Sequence, residues 1–384
     1  MTSTPLAELR SRRLFALGLR GTDATSPVEL VRRGVAVQAQ EYLPAQWGLA
    51  QRLVPEVRPT AGGTAALLDG GEILRTHVLR PTWHVVDPAD ARWLLELSAE
   101  RVHRLMAAYD RRHGIEGARA ASALDTMAEA VAGGRHRTRA ELAEALQADG
   151  WMTTGGAIGF LLMHAELERV LISGASSGKQ RTYAAFDERV PPSPPRPRDE
   201  ALAELAERYL LTRSPASTRD LSAWSGFGLR DVRAALLAAA ERTGGRIERF
   251  GDDPAEELWH DASVSAAWRA RGAARATADD DPERVDLLQA YDEFIMGYAA
   301  PRAYLQPPGR TDSIAPEFPL HALMAGGVMF GRWAPLVKER SAVVRLEPWR
   351  RMSRAEHASF EAGAAEIERF LGVPVTVDVA AVVE

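Results

Sequence analysis

TRAELAEALQADGWMTTGGAIGFLLMHAELERVLISGASSGKQRTYAAF, residues 138–186, decides the fold. Thr138 and Glu141 are spaced as a capping box, in which each side chain satisfies the other residue's backbone N–H. A short helix is predicted over residues 140–148. Gly150 to Gly155 hold a turn, and a second helix is predicted over 157–168. An apolar β run follows at 170–173. A glycine- and serine-rich hairpin tip spans 174–179, and a return strand spans 180–186. Helix, turn, helix, strand, hairpin, strand is the element order of a winged helix.

Downstream, VPPSPPRPR (190–198) is a proline-rich linker, and the pattern recurs beyond it. A helix is predicted over 201–212, and a second begins at Ser217 or Thr218. A third over 229–240 is a candidate recognition helix, with wing strands at 247–250 and 257–260. A second linker, TADDDPER (277–284), precedes a mixed region. Strands are predicted there near 327–333, 342–346 and 375–379, with one helix at 354–370. Upstream, a helix covers 6–19. Ser26-Pro27-Val28-Glu29 starts another that runs to about Val37. Gln38-Ala39-Gln40-Glu41 then leads into a helix over 45–53. Two β runs, 71–78 and 82–86, flank the turn Leu79-Arg80-Pro81, and Asp87-Pro88 starts a helix over 91–97. The fold class is mainly α with β wings (α+β): tandem winged-helix units and a β-containing C-terminal region. The expected boundaries are 1–120, 121–195, 196–278 and 279–384.

Composition narrows the function. The chain of 384 residues suits several compact units, and 46% apolar residues supply their cores. Cysteine is absent, which excludes disulfides, a Cys nucleophile and thiolate metal sites. No apolar run reaches the roughly 18–20 residues that span a bilayer, so a cytoplasmic protein without membrane contact is expected. The net charge of −5 disfavours nucleic acid only weakly. Arginine is in local excess over 1–60 and 101–140, while acids gather at Asp252-Asp253 and Asp279-Asp280-Asp281. This is the pattern of a basic face on an acidic body, or of solvated helix faces. The lysines are Lys179 and Lys338, so a Schiff base would need one of them or the terminal amine.

Gln38 and Gln40 are the candidate catalytic pair. On a helix, residues i and i+2 diverge; on an extended segment they project to the same side. If the helix ends near Val37, two carboxamides face one site. Each offers an acceptor and two donors, enough to hold a water, and neither is a strong base. By themselves, two nearby glutamines are most often surface residues. No Ser-His-Asp spacing, P-loop or dinucleotide-binding glycine motif accompanies them, and no His pair at i, i+4 suggests zinc on a helix. No cofactor or metal is expected.

The runs ELVRRGVAVQAQEYLPAQWGLAQRL (29–53) and LRTHVLRPTWHVVDPADARWLL (74–95) resemble the N-terminal signature of the AlkZ/YcaQ-like winged-helix DNA glycosylase family. Residues 141–190 and 208–236 resemble its second and third units. YDEFIMGYAAPR (291–302) and GGVMFGRW (326–333) resemble its C-terminal portion. The resemblance implies a bacterial DNA repair enzyme acting on double-stranded DNA. Gln-Ala-Gln matches the family's Gln-apolar-Gln branch, where the sister branch has Gln-apolar-Asp. That branch implies excision of bulky alkylated purines, often as self-protection beside genotoxic natural products; a monofunctional enzyme, in keeping with the scarcity of lysine, and a monomer are expected. The alternatives are a crosslink-unhooking glycosylase of broader range and a non-enzymatic winged-helix DNA binder.

Further residues keep two readings each. Thr82 and His84 share a face of their strand, at the DNA side or as fold support, and Arg80 lies in the turn before them. Lys179, Gln180 and Arg181 at the hairpin tip suit phosphate or minor-groove contact, or a solvated turn. Arg137 precedes a helix N-terminus and suits phosphate. Asp292, in Tyr291-Asp292-Glu293, orients a water, or serves as a cap or ion pair. The tryptophans Trp47, Trp83, Trp93, Trp151 and Trp224 are expected in the core.

Overall fold

The computed structural model describes residues 5–153, 156–251, 257–273, 281–306 and 321–380. Gly155, Asp252-Asp253 and residues 277–280 of the acidic linker lie outside the described residues. The elements in order are α1 (Leu6–Ala16), α2 (Pro27–Gly34), β1 (Val37–Gln38), α3 (Tyr42–Ala50), α4 (Ala61–Gly70), β2 (Leu74–His77), β3 (Trp83–Val86), α5 (Pro88–His113) and α6 (Gly117–Val131). Then come β4 (Arg137–Thr138), α7 (Arg139–Ala148), α8 (Ala157–Leu167), β5 (Leu171–Ser173), β6 (Thr182–Ala185), α9 (Phe186–Arg189) and α10 (Arg198–Arg213). β7 (Ala216–Ser217), α11 (Thr218–Ser225), α12 (Leu229–Arg242), β8 (Ile247–Arg249), β9 (Leu258–Asp261) and α13 (Ala262–Ala273) follow. The last are β10 (Val285–Leu288), α14 (Glu293–Met296), β11 (Ala322–Ala325), β12 (Val328–Val337), β13 (Ala342–Pro348), α15 (Arg354–Leu371) and β14 (Val375–Val379). The class is α+β.

One order occurs three times: short strand, helix, helix, hairpin. It gives three antiparallel sheets with the first strand at an edge, β1-β3-β2, β4-β6-β5 and β7-β9-β8. Two of the starts are reciprocal capping boxes, Thr138 with Glu141 and Ser217 with Asp220. Each ties the short strand to the helix after it.

The chain divides into two compact units, one of Val35–Ala39 and Ala65–Leu202, the other of Met1–Gly34, Gln40–Thr64 and Ala203–Glu384. In the first, α5 begins at the N-cap Asp87, which accepts from Ala89 N, and ends at Gly114 with φ 69°. It extends well past the expected 91–97, because no breaker interrupts it before that glycine. The helix α6 was not expected. Its buried stripe, Ala120, Ala123, Met127 and Val131, is half alanine and gives a weak apolar period. It packs on Leu142, Leu146 and Leu161.

In the other unit, β10-β11-β12-β13-β14 form one sheet, with β13 and β14 parallel across the crossover helix α15. Trp47, Leu287, Leu346, Phe360 and Phe370 build the core there. The strands β10 and β11 were also not expected. Every residue of both is buried, so the polar alternation that marks a half-exposed strand is missing.

Candidate active site

The helix α2 stops at Gly34, earlier than expected, and the chain leaves it extended. Val35 follows at φ 59° and is fully buried. A β-branched residue in the left-handed region costs about 1–3 kcal/mol and persists only where its surroundings hold it. It swings the chain into β1, where Gln38 stands opposite His84. On the other side of β3, Thr76 stands opposite His84. Directly opposed residues share a sheet face, so Gln38, His84 and Thr76 form one polar rung. All three are buried, Gln38 at 1% exposure and His84 and Thr76 at 0%.

Four hydrogen bonds fix this rung. Arg80 Nη2 donates to Gln38 Oε1 at 2.5 Å. The His84 Nδ1–Thr82 O distance is 3.0 Å; a carbonyl only accepts, so Nδ1 is the protonated ring nitrogen. Ala39, between the two glutamines, is held at both backbone groups: its N–H donates to Trp83 O at 2.8 Å, and its carbonyl accepts from Arg75 Nε at 2.9 Å. Arg75 also lies 4.3 Å over the Trp83 ring.

The turn that presents Arg80 is tight. Leu79, fully buried, has φ 63°, and its N–H donates to Ser98 Oγ at 3.1 Å. Arg80 N donates to Val78 O and Thr82 N to Arg80 O, both at 2.7 Å. Arg101 donates to Leu79 O from α5. Burial, followed by the charges of Arg80 and Arg104, pulls the Arg101 guanidinium below its ordinary value. Of these three arginines, Arg80 is the one whose guanidinium bonds Gln38. Behind β2, His77 contacts Glu166 through Nδ1 and packs on Trp83 with centroids 4.3 Å apart. Neither His77 nor Glu166 was legible as part of the site, since the pair is separated by 89 positions.

The hairpin residues stand apart from the rung. Ser177 and Gln180 exchange backbone hydrogen bonds at 3.0 Å around Gly178, φ 57°, and Lys179. Lys179, Gln180 and Arg181 are exposed, and Arg181 Nη1 donates to Ser176 Oγ at 2.6 Å. Arg137 is drawn inward: Nε donates to Ala130 O at 3.1 Å, and Nη1 lies 3.4 Å from Glu141.

In the other unit, Asp292 is fully buried. Its Oδ1 accepts from Arg52 Nη2 at 2.8 Å and from Phe294 N at 2.8 Å; its Oδ2 accepts from Arg52 Nη1 at 3.0 Å. The cap-and-ion-pair role describes it. Glu293 is used in the same way, by Arg213 Nε at 3.0 Å and Trp224 Nε1 at 3.1 Å, and Arg213 Nη1 also reaches Gly34 O at 3.3 Å. The Asp-Glu pair thus belongs to a buried network at the end of α2.

Gln40 is half-buried in this unit and begins the turn into α3. Glu41, its neighbour, has Oε2 3.5 Å from His321 Nε2. Ala290 N donates to His321 Nδ1 at 3.2 Å, which leaves the proton on Nε2 facing Glu41. Burial lowers the His321 pKa and Glu41 opposes it. Burial and then Glu41 raise the Tyr291 phenol. His321 carried no local signal, whereas Glu41 was visible beside the motif and was not singled out.

A sequence profile of the family described as DNA glycosylase AlkZ-like matches residues 31–370, a span that contains Gln38, Gln40 and the whole rung. The chain belongs to this family. Membership in the AlkZ-like DNA glycosylases makes DNA its substrate and hydrolytic base removal in DNA repair its activity. Among solved structures, the Streptomyces sahachiroi DNA glycosylase AlkZ is similar, with a TM-score of 0.74 and 19% identity over 99% of this chain and 100% of that chain. No curated protein matches the sequence. Among the described residues, no helix is long and apolar enough to cross a membrane.

Of the tryptophans, Trp47, Trp93, Trp151 and Trp224 are buried. Trp83 is half-buried and flanks the rung of this AlkZ-like chain. Away from the rung, His103, Asp110 and His164 bring ligand atoms within 4.8 Å of one another.

Proposed function

We propose that the protein is a monofunctional DNA glycosylase that hydrolyses the N-glycosidic bond of bulky N7-alkylated purines in duplex DNA, with Gln38 and Gln40 as its catalytic residues. The observation that carries this is the buried rung, in which Gln38 sits on an extended strand with its carboxamide oriented by Arg80. The strand ends at Gln38, so this observation bears on Gln38 directly and on Gln40 through its place two residues on.

An N7-alkylated purine is cationic and departs as a neutral base without a general acid. As the C1′–N9 bond breaks, its electron pair goes to the base and positive charge develops on the deoxyribose. Water then forms the C1′–O bond and releases a proton, leaving an abasic site. Fixed carboxamides suit this step: they hold the water and place dipoles against developing charge, while no strong base is required. Lys179 and Lys338 are both exposed and neither lies on the rung, in keeping with hydrolysis by water rather than by a Schiff base.

The three repeats act as winged-helix units, with 1–120, 121–195 and 196–278 as modules before the 279–384 region. The exposed Lys179 and Arg181 contact phosphates, and Arg80 brings charge to the sugar–phosphate beside the lesion. Self-protection against a genotoxic natural product is the matching biological role. Gln38→Ala and Gln40→Ala should each slow single-turnover excision of N7-alkylguanine by about 100–1,000-fold, with DNA affinity retained. Wild-type rates in both variants would remove the pair from the chemistry. A borohydride-trapped protein–DNA adduct would refute the monofunctional assignment. Parallel assays on a methyl adduct, a bulky adduct and an interstrand crosslink define the range.

A further inference from the structure

We propose that His103, Asp110 and His164 bind a divalent transition-metal ion of the zinc class, which clips α5 to α8 and takes no part in base excision. His103 and Asp110 are seven apart on α5, two helical turns along one face. His164 lies on α8, with Glu168 four residues on at that helix's C-cap. The two helices pack together and bring the His103 and His164 ring centroids to 4.7 Å in an edge arrangement. One ligand atom from each of His103, Asp110 and His164 lies within 4.8 Å of the others. A tetrahedral ion with bonds near 2.0–2.1 Å needs ligand atoms about 3.4 Å apart. The widest separation has to shorten by about 1.4 Å on binding.

The polar groups here point to a ligand. Among the described residues, His164 Nδ1 is buried without a hydrogen-bond partner. Asp110 is buried on the same face. A buried acceptor left without a partner is destabilising, and a metal bond would satisfy it. Glu168 Oε1 sits 2.8 Å from His103 Nε2. With Asp110 it supplies two negative charges, which match a divalent cation. Paired imidazoles favour zinc and its neighbours over magnesium or calcium. Phe160 of α8 stacks on Tyr109 at 5.2 Å and on His113 at 5.1 Å, which holds the helix pair in register beside the cluster. His164 lies on a different helix from His103 and Asp110, so no local spacing announces the set.

The test uses full-length protein stripped with a chelator. Zinc is titrated in competition with a chromophoric chelator, and cobalt(II) reports geometry by its d–d absorption. One equivalent of zinc should bind, and cobalt should show the intense absorption of a tetrahedral centre. His103→Gln and His164→Gln should each abolish stoichiometric binding while keeping the wild-type circular dichroism. Glu168→Gln should weaken binding by about 10–100-fold, the effect of losing an outer carboxylate. Added zinc should raise the melting temperature of the wild type and not of the histidine variants. No binding against the chelator would overturn the proposal. So would unchanged affinity in the His103→Gln/His164→Gln double variant, which would mark the ion as adventitious.

Discussion

Asp292→Ala should cost stability and leave the chemistry intact. Asp292 is 0% exposed and Arg52 7% exposed, and they meet through two hydrogen bonds at 2.8 and 3.0 Å. Removing one member of such a pair strands a buried charge, at about 3–5 kcal/mol. The same change deletes the cap on Phe294 N, worth about 1 kcal/mol. The total of about 4–6 kcal/mol corresponds to a fall in melting temperature of about 8–24 °C, taking about 2–4 °C per kcal/mol. Asp292→Asn keeps an acceptor for Phe294 and should recover only the cap. Arg52→Met/Asp292→Leu removes both charges together and should recover most of the remainder, because an apolar pair replaces a buried ion pair at little net cost. The assay pairs thermal melts with single-turnover excision well below the melting temperature. An Asp292→Ala protein that melts like the wild type and excises 100-fold more slowly would refute this account and make Asp292 a catalytic carboxylate.

Arg80→Met should slow excision by about 10–150-fold, the worth of a charge-assisted hydrogen bond of about 1.5–3 kcal/mol, with Arg80→Lys recovering only part. A loss of DNA affinity with no loss of rate would make Arg80 a phosphate contact only. Lys179→Ala/Arg181→Ala should reduce the slope of log Kd against log salt by about 1.8, at about 0.9 per phosphate contact, and an unchanged slope would take the hairpin off the DNA. Carboxamides do not titrate, so wild-type excision should be flat over about pH 5–8. Gln40→Asp should add an acid limb, with the rate falling as pH drops toward about 3.9 and the new carboxylate protonates. A wild-type acid limb in that range would instead assign a base, with Glu41 the nearest along the chain.

Features written in neighbouring residues were legible. Thr138 with Glu141 and Ser217 with Asp220 mark helix starts because both partners lie within one turn. The extended path through Gln38 followed from spacing and from the end of α2. What escaped depends on pairing across the chain. Gln38 and Arg80 are 42 positions apart, His77 and Glu166 are 89 apart, and Arg52 and Asp292 are 240 apart. No local pattern encodes such partners. Asp292 stands out locally as one of three polar residues in a row, whereas its partner Arg52 lies far off in the chain. The strands β10 and β11 lost their period by being covered on both faces, and the α6 stripe lost its contrast by being built of alanine.

On the proposed assignment of Gln38 as a catalytic residue, the rung supplies what a weak catalytic group needs. A carboxamide cannot abstract a proton or bring a full charge to the sugar, so what it contributes depends on a dipole already aimed when the glycosidic bond stretches. A misplacement of about an ångström would spend most of that contribution. The backbone around Gln38 is correspondingly over-constrained. Val35 is held in a left-handed conformation that valine disfavours, and Ala39 is tied at both its N–H and its carbonyl. Leu79 is held in the same uncommon region to deliver Arg80. These conformations are destabilising on their own, and they fall on the segments that set the position and orientation of one amide. A surface glutamine needs none of them. The concentration of strain and ties around Gln38 is therefore the physical reason to place chemistry there.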